Sequence, residues 1–236
     1  MFGATSNPGT PNMDAVLDVF RVLYDPGAVF ARVREKPRIL VPYAVIVVAI
    51  IGTTLVLQPY TEKALESLRA TLPPEQAARM QGGGGVVQAL IGTPIFVFLG
   101  LLVGAGLLWV TVSLTASEAR FKTLLSVLTH SYVTYILYAA LGALVLFMRG
   151  IESVSSLVDL RPPLGLDLLV PGATGYLGGL LNGINPLSAW GVWLTGTGIS
   201  ITHNTSPTAG IAAAAIAYVV ALAIFSVYWV FIPGGS

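Results

Sequence analysis

Five blocks of this sequence, 39–57, 86–116, 123–148, 187–201 and 207–231, contain no Asp or Glu and consist largely of aliphatic, aromatic and small residues. At a rise of about 1.5 Å per helical residue, the 39–57 block matches a hydrocarbon core of about 30 Å. A chain crossing lipid must satisfy its own backbone hydrogen bonds, and a helix does so within one segment. Over the whole chain 55% of the residues are hydrophobic and only 10% are charged, against about 25% charged in an ordinary soluble domain. With so few charges, a single core of 236 residues could not be covered for water. The fold expected is an all-α membrane protein: a bundle of five transmembrane helices with amphipathic N-terminal interfacial helices.

The organisation follows from where the blocks stop. Residues 1–11 are rich in Gly, Pro, Ser, Thr and Asn and read as a flexible tail. Residues 12–37 read as two short helices. In the first, Asn12 is the expected cap, and Met13, Val16, Leu17, Phe20 and Leu23 recur at helical spacing. Asp25-Pro26 opens the second and Pro37 closes it. Phe30 beside Arg32, Arg34, Lys36 and Arg38 suits a helix resting among the headgroups of an anionic leaflet.

Residues 38–232 are the five-span membrane domain, and 233–236 a second tail. Residues 1–36 hold no uninterrupted apolar run, so the first span is expected to serve as its own insertion signal. Residues 60–85 read as an exposed helical loop ending in the flexible glycine run 82–85, which lacks the Lys-Ser/Thr of a phosphate cradle. Residues 150–186, broken at Pro162-Pro163 and Pro171-Gly172, are expected at the membrane surface. Tyr228 and Trp229 are expected at the interfacial end of the fifth span.

Counting Lys and Arg beside the spans orients the chain. A cytoplasmic N-terminus puts Arg21, Arg32, Arg34, Lys36, Arg38, Arg120 and Lys122 inside, against Lys63, Arg69, Arg79, Arg149 and Arg161 outside. Seven against five, with the basic cluster directly before the first span, favours an N-terminus inside and a C-terminus outside the cell (inner) membrane.

Composition closes several functional classes. A net charge of +1 offers no cationic face for nucleic acid, and the absence of cysteine removes disulfides, thiolate metal sites and thiol nucleophiles. No HExxH, no GxSxG and no paired intramembrane carboxylates occur, so no enzyme and no cofactor are expected. Coupled transport commonly uses an intramembrane carboxylate, and these spans have none.

Three sets of residues remain. Thr123, Ser126, His130, Thr134 and Tyr138 share one face of the third span and must meet protein or water rather than lipid. His130 and His203, with Glu118, are candidate metal ligands or proton carriers, weighed against simple hydrogen bonding between helices. Gly100 and Gly104, then Gly191 and Gly198, then Gly210 and Ala214 form small-residue stripes on three spans, where helices or subunits can approach closely. Asn204-Thr205-Ser206 reads as a loop and helix cap.

Asp25-Pro26 with Phe30 and Pro37 before the first span, Phe121-Lys122 before the third, and Asn185-Pro186-Leu187-Ser188-Ala189-Trp190 opening the fourth resemble the YIP family (Ypt/Rab-interacting-protein domain). The resemblance runs from about Asp14 to Phe231. It implies five spans with a cytoplasmic N-terminus and, in eukaryotic members, vesicle trafficking through small GTPases and membrane shaping. The long polar N-terminal region of those members is missing, so this chain is more similar to a bacterial or archaeal member. For such members the resemblance implies a non-enzymatic scaffold or accessory role in membrane organisation or transport. The partners expected are the lipid bilayer and a membrane protein or a second copy of the chain. The rival reading is a channel or transporter for a small solute or metal ion, using the polar stripe of the third span and a water-filled cavity that reaches His130.

Overall fold

The computed structural model describes residues 11–79, 85–114, 118–170 and 172–231. The expected tails at 1–10 and 233–236, and residues 82–84 of the glycine run, lie outside the described residues. Among the described residues every element is helical: α1 Pro11–Arg21, α2 Pro26–Glu35, α3 Leu40–Val56, α4 Gln58–Arg69, α5 Pro74–Arg79, α6 Gly85–Ser113, α7 Phe121–Ser131, α8 Val133–Arg149, α9 Gly175–Gly183, α10 Pro186–His203 and α11 Pro207–Ser226. Short 3-10 turns at 151–153, 157–160, 166–169 and 227–231 complete the trace.

The helix boundaries have local chemical causes. Asp25 caps α2, its carboxylate accepting from the Ala28 N–H at 3.2 Å, and Pro26 takes the first helical position, where no N–H is needed. Asn185 caps α10 by accepting from Leu187 N–H and Ser188 N–H, while the Ser188 hydroxyl accepts in return from the Asn185 N–H. Asn204 ends α10 in the left-handed region at φ 52°, and Ser206 then caps α11 through the Ala209 N–H. α1 starts at Pro11, which places Asn12 inside the helix and not at its cap.

Among the described residues three segments are long and apolar enough to cross a bilayer: Leu90–Ser113, Phe121–Arg149 and Pro207–Phe231. The first expected span is shorter than the reading of 39–57. α3 has 17 residues, about 25 Å, and bends by 56° into α4, with which it makes a candidate fourth span. α10, read as the fourth span, does not reach this level of length and apolar character. The third span is α7 and α8 joined at Tyr132, whose carbonyl accepts the Tyr135 N–H.

Large apolar side chains stay exposed on the outer helices, among them Ile91, Ile95, Phe96, Leu99, Val103 and Val110 on α6 and Ile216, Val219, Val220 and Ile224 on α11. Lipid has to cover these faces. α10 lies inside, packed by α2, α7, α8 and α11. Gly196 and Gly210 bring α10 and α11 together: a Cβ on Gly196 would lie 2.5 Å from the Ile211 Cα, and one on Gly210 would collide with the Gly196 carbonyl.

The N-terminal helices differ from expectation in their surroundings. Ala15, Val19 and Val22 of this region and Val29, Phe30 and Val33 of α2 are buried, most of them against Val127, Val133 and Leu194. Phe30, expected at the lipid surface, is 0% exposed, and its ring fills the space left by Gly198 of α10. An ion pair joins the two helices, with Arg32 donating to the largely buried Asp18 at 2.5 and 3.0 Å. Leu17, Phe20 and Tyr24 remain exposed, as do Arg34 and Lys36. Arg38 is half-buried, its carbonyl accepting from the Ser126 hydroxyl at 2.7 Å.

Candidate functional site

Between α6, α8, α10, α11 and the 150–186 segment the bundle encloses a cavity of about 960 Å³. Part of its wall comes from residues with little or no side chain: Gly100, Gly104, Gly191, Ala214, Ala217 and Ala221. Gly100 has no atom within 4 Å of where a Cβ would stand, so it faces the void. Helices normally close on such stripes. Here α10 and α11 do so at Gly196 and Gly210, while past the end of α11 the cavity is lined by Tyr228, Trp229 and Phe231 of the 227–231 turn.

The polar end is built by the irregular segment. Asp159 folds the 157–160 turn by accepting from the Ser155 and Ser156 N–H groups and hydroxyls at 2.8–3.1 Å. Burial alone would raise the Asp159 pKa, but these hydrogen bonds prevail and hold it below the usual carboxylate value. The turn delivers Arg161 into the cavity wall with 8% of its surface exposed. The guanidinium lies over the Trp229 ring, 3.9 Å from its centroid, and Trp229 fits because Gly179 has no side chain to meet it.

Beside Arg161, the Tyr138 hydroxyl donates to the Asn182 carboxamide oxygen at 2.7 Å. The Asn182 amide nitrogen donates to Asp167 at 3.2 Å and to the Pro162 carbonyl at 3.3 Å. Tyr218 donates to the Gly183 carbonyl at 2.6 Å. Arg161 stands apart from this network: its Nε and Nη2 have no hydrogen-bond partner. Burial lowers its pKa from the usual guanidinium value, opposed by the charge of Asp167.

The polar stripe of the third span is divided by its neighbours. Thr134 and Tyr138 line the cavity; Thr123, Ser126 and His130 do not. The α7 half is covered by α1, α2, α3, α6 and α10, so Thr123, Ser126 and His130 are buried in protein. The rival channel reading requires a cavity reaching His130, and this one stops short. His130 donates from Nδ1 to the Ser126 carbonyl at 2.8 Å. Most buried hydroxyls likewise turn back on their own helix, as Thr129, Ser131, Thr195 and Thr202 do. Of the hydrogen bonds between helices, the simpler expectation for the stripe, Tyr138 makes one, to Asn182 of α9, while Ser126 donates to the Arg38 carbonyl in the connection between α2 and α3.

His203 acts at a helix junction. Its Nε2 accepts the Arg120 N–H at 3.2 Å at the start of α7, and its Nδ1 pairs with the Thr202 hydroxyl at 2.8 Å. In return, the Arg120 guanidinium donates to the Thr202 carbonyl at 2.6 Å in the last turn of α10. One residue therefore caps the N-terminus of α7 and the other the C-terminus of α10. Glu118 is exposed in the connection before Arg120. Among the described residues no three of His, Asp and Glu are grouped to hold a metal ion.

The small residues take different parts. Gly210 sits at the α10–α11 contact, Gly198 admits Phe30 and Val127, Gly191 faces the Thr134 hydroxyl and Gly104 faces Leu128. Gly100, Gly104, Gly191 and Ala214 also line the cavity, and for Gly100 that replaces the expected helix contact. At the polar end, sequence reasoning counts Arg161 only as a charge outside the membrane and Trp229 only as an interfacial aromatic, and it passes over Asn182. The one further signal was a cation set between Leu160 and Pro162-Pro163.

The residues that suggested a family have structural tasks: Asp25-Pro26 and Asn185-Pro186 start helices, Phe30 fills the contact with α10, and Trp190 packs against the cluster around it. The Yip1 domain matches residues 20–230, nearly everything from the end of α1 to the end of the trace. The chain belongs to the Yip1 domain family. This Yip1 domain is 28% identical over 218 residues to Membrane protein YknW of Bacillus subtilis (strain 168), a similarity covering 89% of this chain and 88% of that protein. No solved structure matches it. It is thus a membrane protein with multiple apolar helices, in contact with the lipid bilayer.

Proposed function

We propose that this Yip1 domain is a non-enzymatic accessory protein of the inner membrane that crosses the bilayer five times, N-terminus inside and C-terminus outside, and receives part of an amphiphilic guest in its cavity. The observation that carries this reading is the cavity wall. Glycine and alanine leave the room, and among its hydroxyls Thr195 is committed to the Gly191 carbonyl and Tyr138 to Asn182, while the buried Ser226 hydroxyl has no partner. A wall of this kind recognises shape and apolar surface; it offers no nucleophile beside a base.

Support for five spans comes from the position of α10. Its 18 residues reach about 27 Å, and its surroundings are α2, α7, α8 and α11, so it does not need the apolar surface that lipid demands of the outer helices. The α3–α4 pair supplies the remaining crossing. Because the chain has no cysteine, single cysteines at Ser155 and Ser206 can be labelled in intact cells: Ser155→Cys should react with an impermeant maleimide and Ser206→Cys only after lysis. The opposite pattern overturns the orientation.

The guest is tested by filling the void. Gly100→Phe adds a ring where nothing stands within 4 Å, and it should cut the lipid that co-purifies in mild detergent about tenfold, read by native mass spectrometry. Retention equal to the parent would refute the reading. For the exposed Leu17, Phe20 and Tyr24 beside Arg34 and Lys36, the same proposal assigns contact with the cytoplasmic leaflet.

A further inference from the structure

We infer that the cavity binds an anionic phospholipid, with Arg161 holding the headgroup phosphate and an acyl chain lying along Gly100, Gly104, Ala217 and Ala221. The inference rests on the reading that the cavity takes an amphiphilic guest, and it names the chemistry of that guest.

Four observations carry it. Arg161 is more than nine-tenths buried, yet Nε and Nη2 find no acceptor. A buried cation without acceptors is costly, and a protein that retains one either pairs it or presents it to a ligand. The obvious internal counter-ion is engaged elsewhere: Asp167 accepts from the Asn182 amide, and among the described residues it forms no ion pair with Arg161. It is also absent from the cavity wall, so an ammonium headgroup would find no carboxylate there.

The second observation is the Trp229 ring at 3.9 Å, which covers one face of the guanidinium; Nε and Nη2 are themselves covered by protein, so a phosphate that pairs with them must displace the side chains over them. A planar fork of donors suits phosphate oxygens in a bidentate arrangement, where an ammonium would be only a point charge. Volume is the third. About 960 Å³ lies at the upper end of ligand pockets, far beyond what a bare phosphate fills, and beyond Arg161 the wall is mainly apolar.

The fourth is the opening. Phe96 and Phe231 line the cavity and are also exposed on the outside of the bundle, 71% and 76% respectively. The mouth therefore reaches the apolar outer surface that lipid must cover. Arg161 lies beside Trp229, just past the end of α11, and near Asn182, just before α10 begins, while its neighbour Pro162 packs on Gly142 about two turns before α8 ends. A lipid can enter sideways from that surface.

The experiment uses the full chain, delipidated in dodecyl maltoside and given equal amounts of phosphatidylglycerol and phosphatidylcholine, with bound lipid counted by native mass spectrometry. The parent should favour phosphatidylglycerol about tenfold. Arg161→Gln should bring the ratio close to one while leaving total retention; Arg161→Lys, which keeps charge but not the fork, should fall between. Inorganic phosphate should fail to displace phosphatidylglycerol. A parent with no preference, or a preference that survives Arg161→Gln, overturns the inference. So does complete displacement by inorganic phosphate, which would make this a site for a soluble anion. If Arg161→Gln does not fold, an unchanged ratio in Arg161→Lys overturns it equally. Gly100→Phe separates the two levels: loss of both lipids there, with an unaltered ratio in Arg161→Gln, keeps the cavity reading and rejects the headgroup assignment.

Discussion

Phe30→Ala decides whether α2 belongs to the bundle or to the lipid surface. Phe30 is fully buried among Val19, Val22, Val29, Val33, Val127, Val133 and Leu194, and its ring occupies the gap at Gly198. Truncating a core Phe to Ala in water costs about 3–5 kcal/mol. Roughly 2 kcal/mol of that is transfer of the side chain out of water. An undocked α2 would lay Phe30 in lipid and recover much of this share. What stays lost is packing, about 1–3 kcal/mol, because lipid tails provide no hydrophobic drive for helices to associate.

At about 1.4 kcal/mol per factor of ten, the undocked population of α2 should rise by about 5- to 150-fold. Hydrogen exchange of the amides of residues 29–33 in nanodiscs reads this population directly. Exchange in these amides should accelerate by that factor, with the amides of residues 194–199 much less affected. Phe20→Ala, at an exposed position, is the control and should change little. If α2 exchanges at the same rate in the parent and in Phe30→Ala, the helix is not held by this contact and the packing argument fails.

Gly196→Ala should lower the melting temperature by several degrees, since its Cβ would stand 2.5 Å from the Ile211 Cα and overpacking of this kind costs about 1–3 kcal/mol. Gly106→Ala, with nothing within 4 Å, should be neutral or slightly stabilising; equal losses in both would refute the close-approach account. His203→Ala removes the acceptor of the Arg120 N–H and should destabilise by about 1–2 kcal/mol, the usual scale of a lost cap. Zinc should leave the parent's melting temperature unaltered, and a zinc-induced rise abolished by His203→Ala would restore the metal reading. The 157–160 turn should be sensitive to acid. Asp159 has a lowered pKa in the fold, so its contribution is complete above the ordinary Asp value of about 3.9 and fades as pH falls through the lower folded value. Exchange at the Ser155 and Ser156 amides should follow that course in the parent, and Asp159→Asn should flatten it.

Helix ends are legible in the sequence because their causes are local. Asp25-Pro26, Asn185-Pro186 and Ser206-Pro207 each carry a capping oxygen and a residue that needs no N–H, so their helices begin at these pairs. Neighbours are another matter. An apolar stripe such as Val29, Phe30 and Val33 has the same spacing whether it meets lipid or protein, and only the fold shows α10 covering it. Small residues are equally ambiguous: Gly210 closes onto Gly196 while Gly100 faces a void, and nothing in their sequence spacing separates the two. The stripe from Thr123 to Tyr138 does share a helical face, but its first half is enclosed by other helices and its second half lines the cavity.

Arg161 was the least legible residue, and its position bears on the orientation of the chain. It belongs to a stretch with no period, where burial leaves no trace in the sequence, so a cation there reads as a loop charge. The positive-inside bias acts on cations beside the membrane ends of the spans during insertion, and a guanidinium tucked under Trp229 is held by the finished bundle. Setting Arg161 aside changes the tally of seven inside against five outside to seven against four. The same burial that removes it from the topology count makes it available as a headgroup ligand, so neutralising the cation should separate the two roles. Arg161→Gln should leave the labelling pattern of Ser155→Cys and Ser206→Cys unaltered while abolishing lipid preference, and an inverted labelling pattern would show that Arg161 acts in insertion instead.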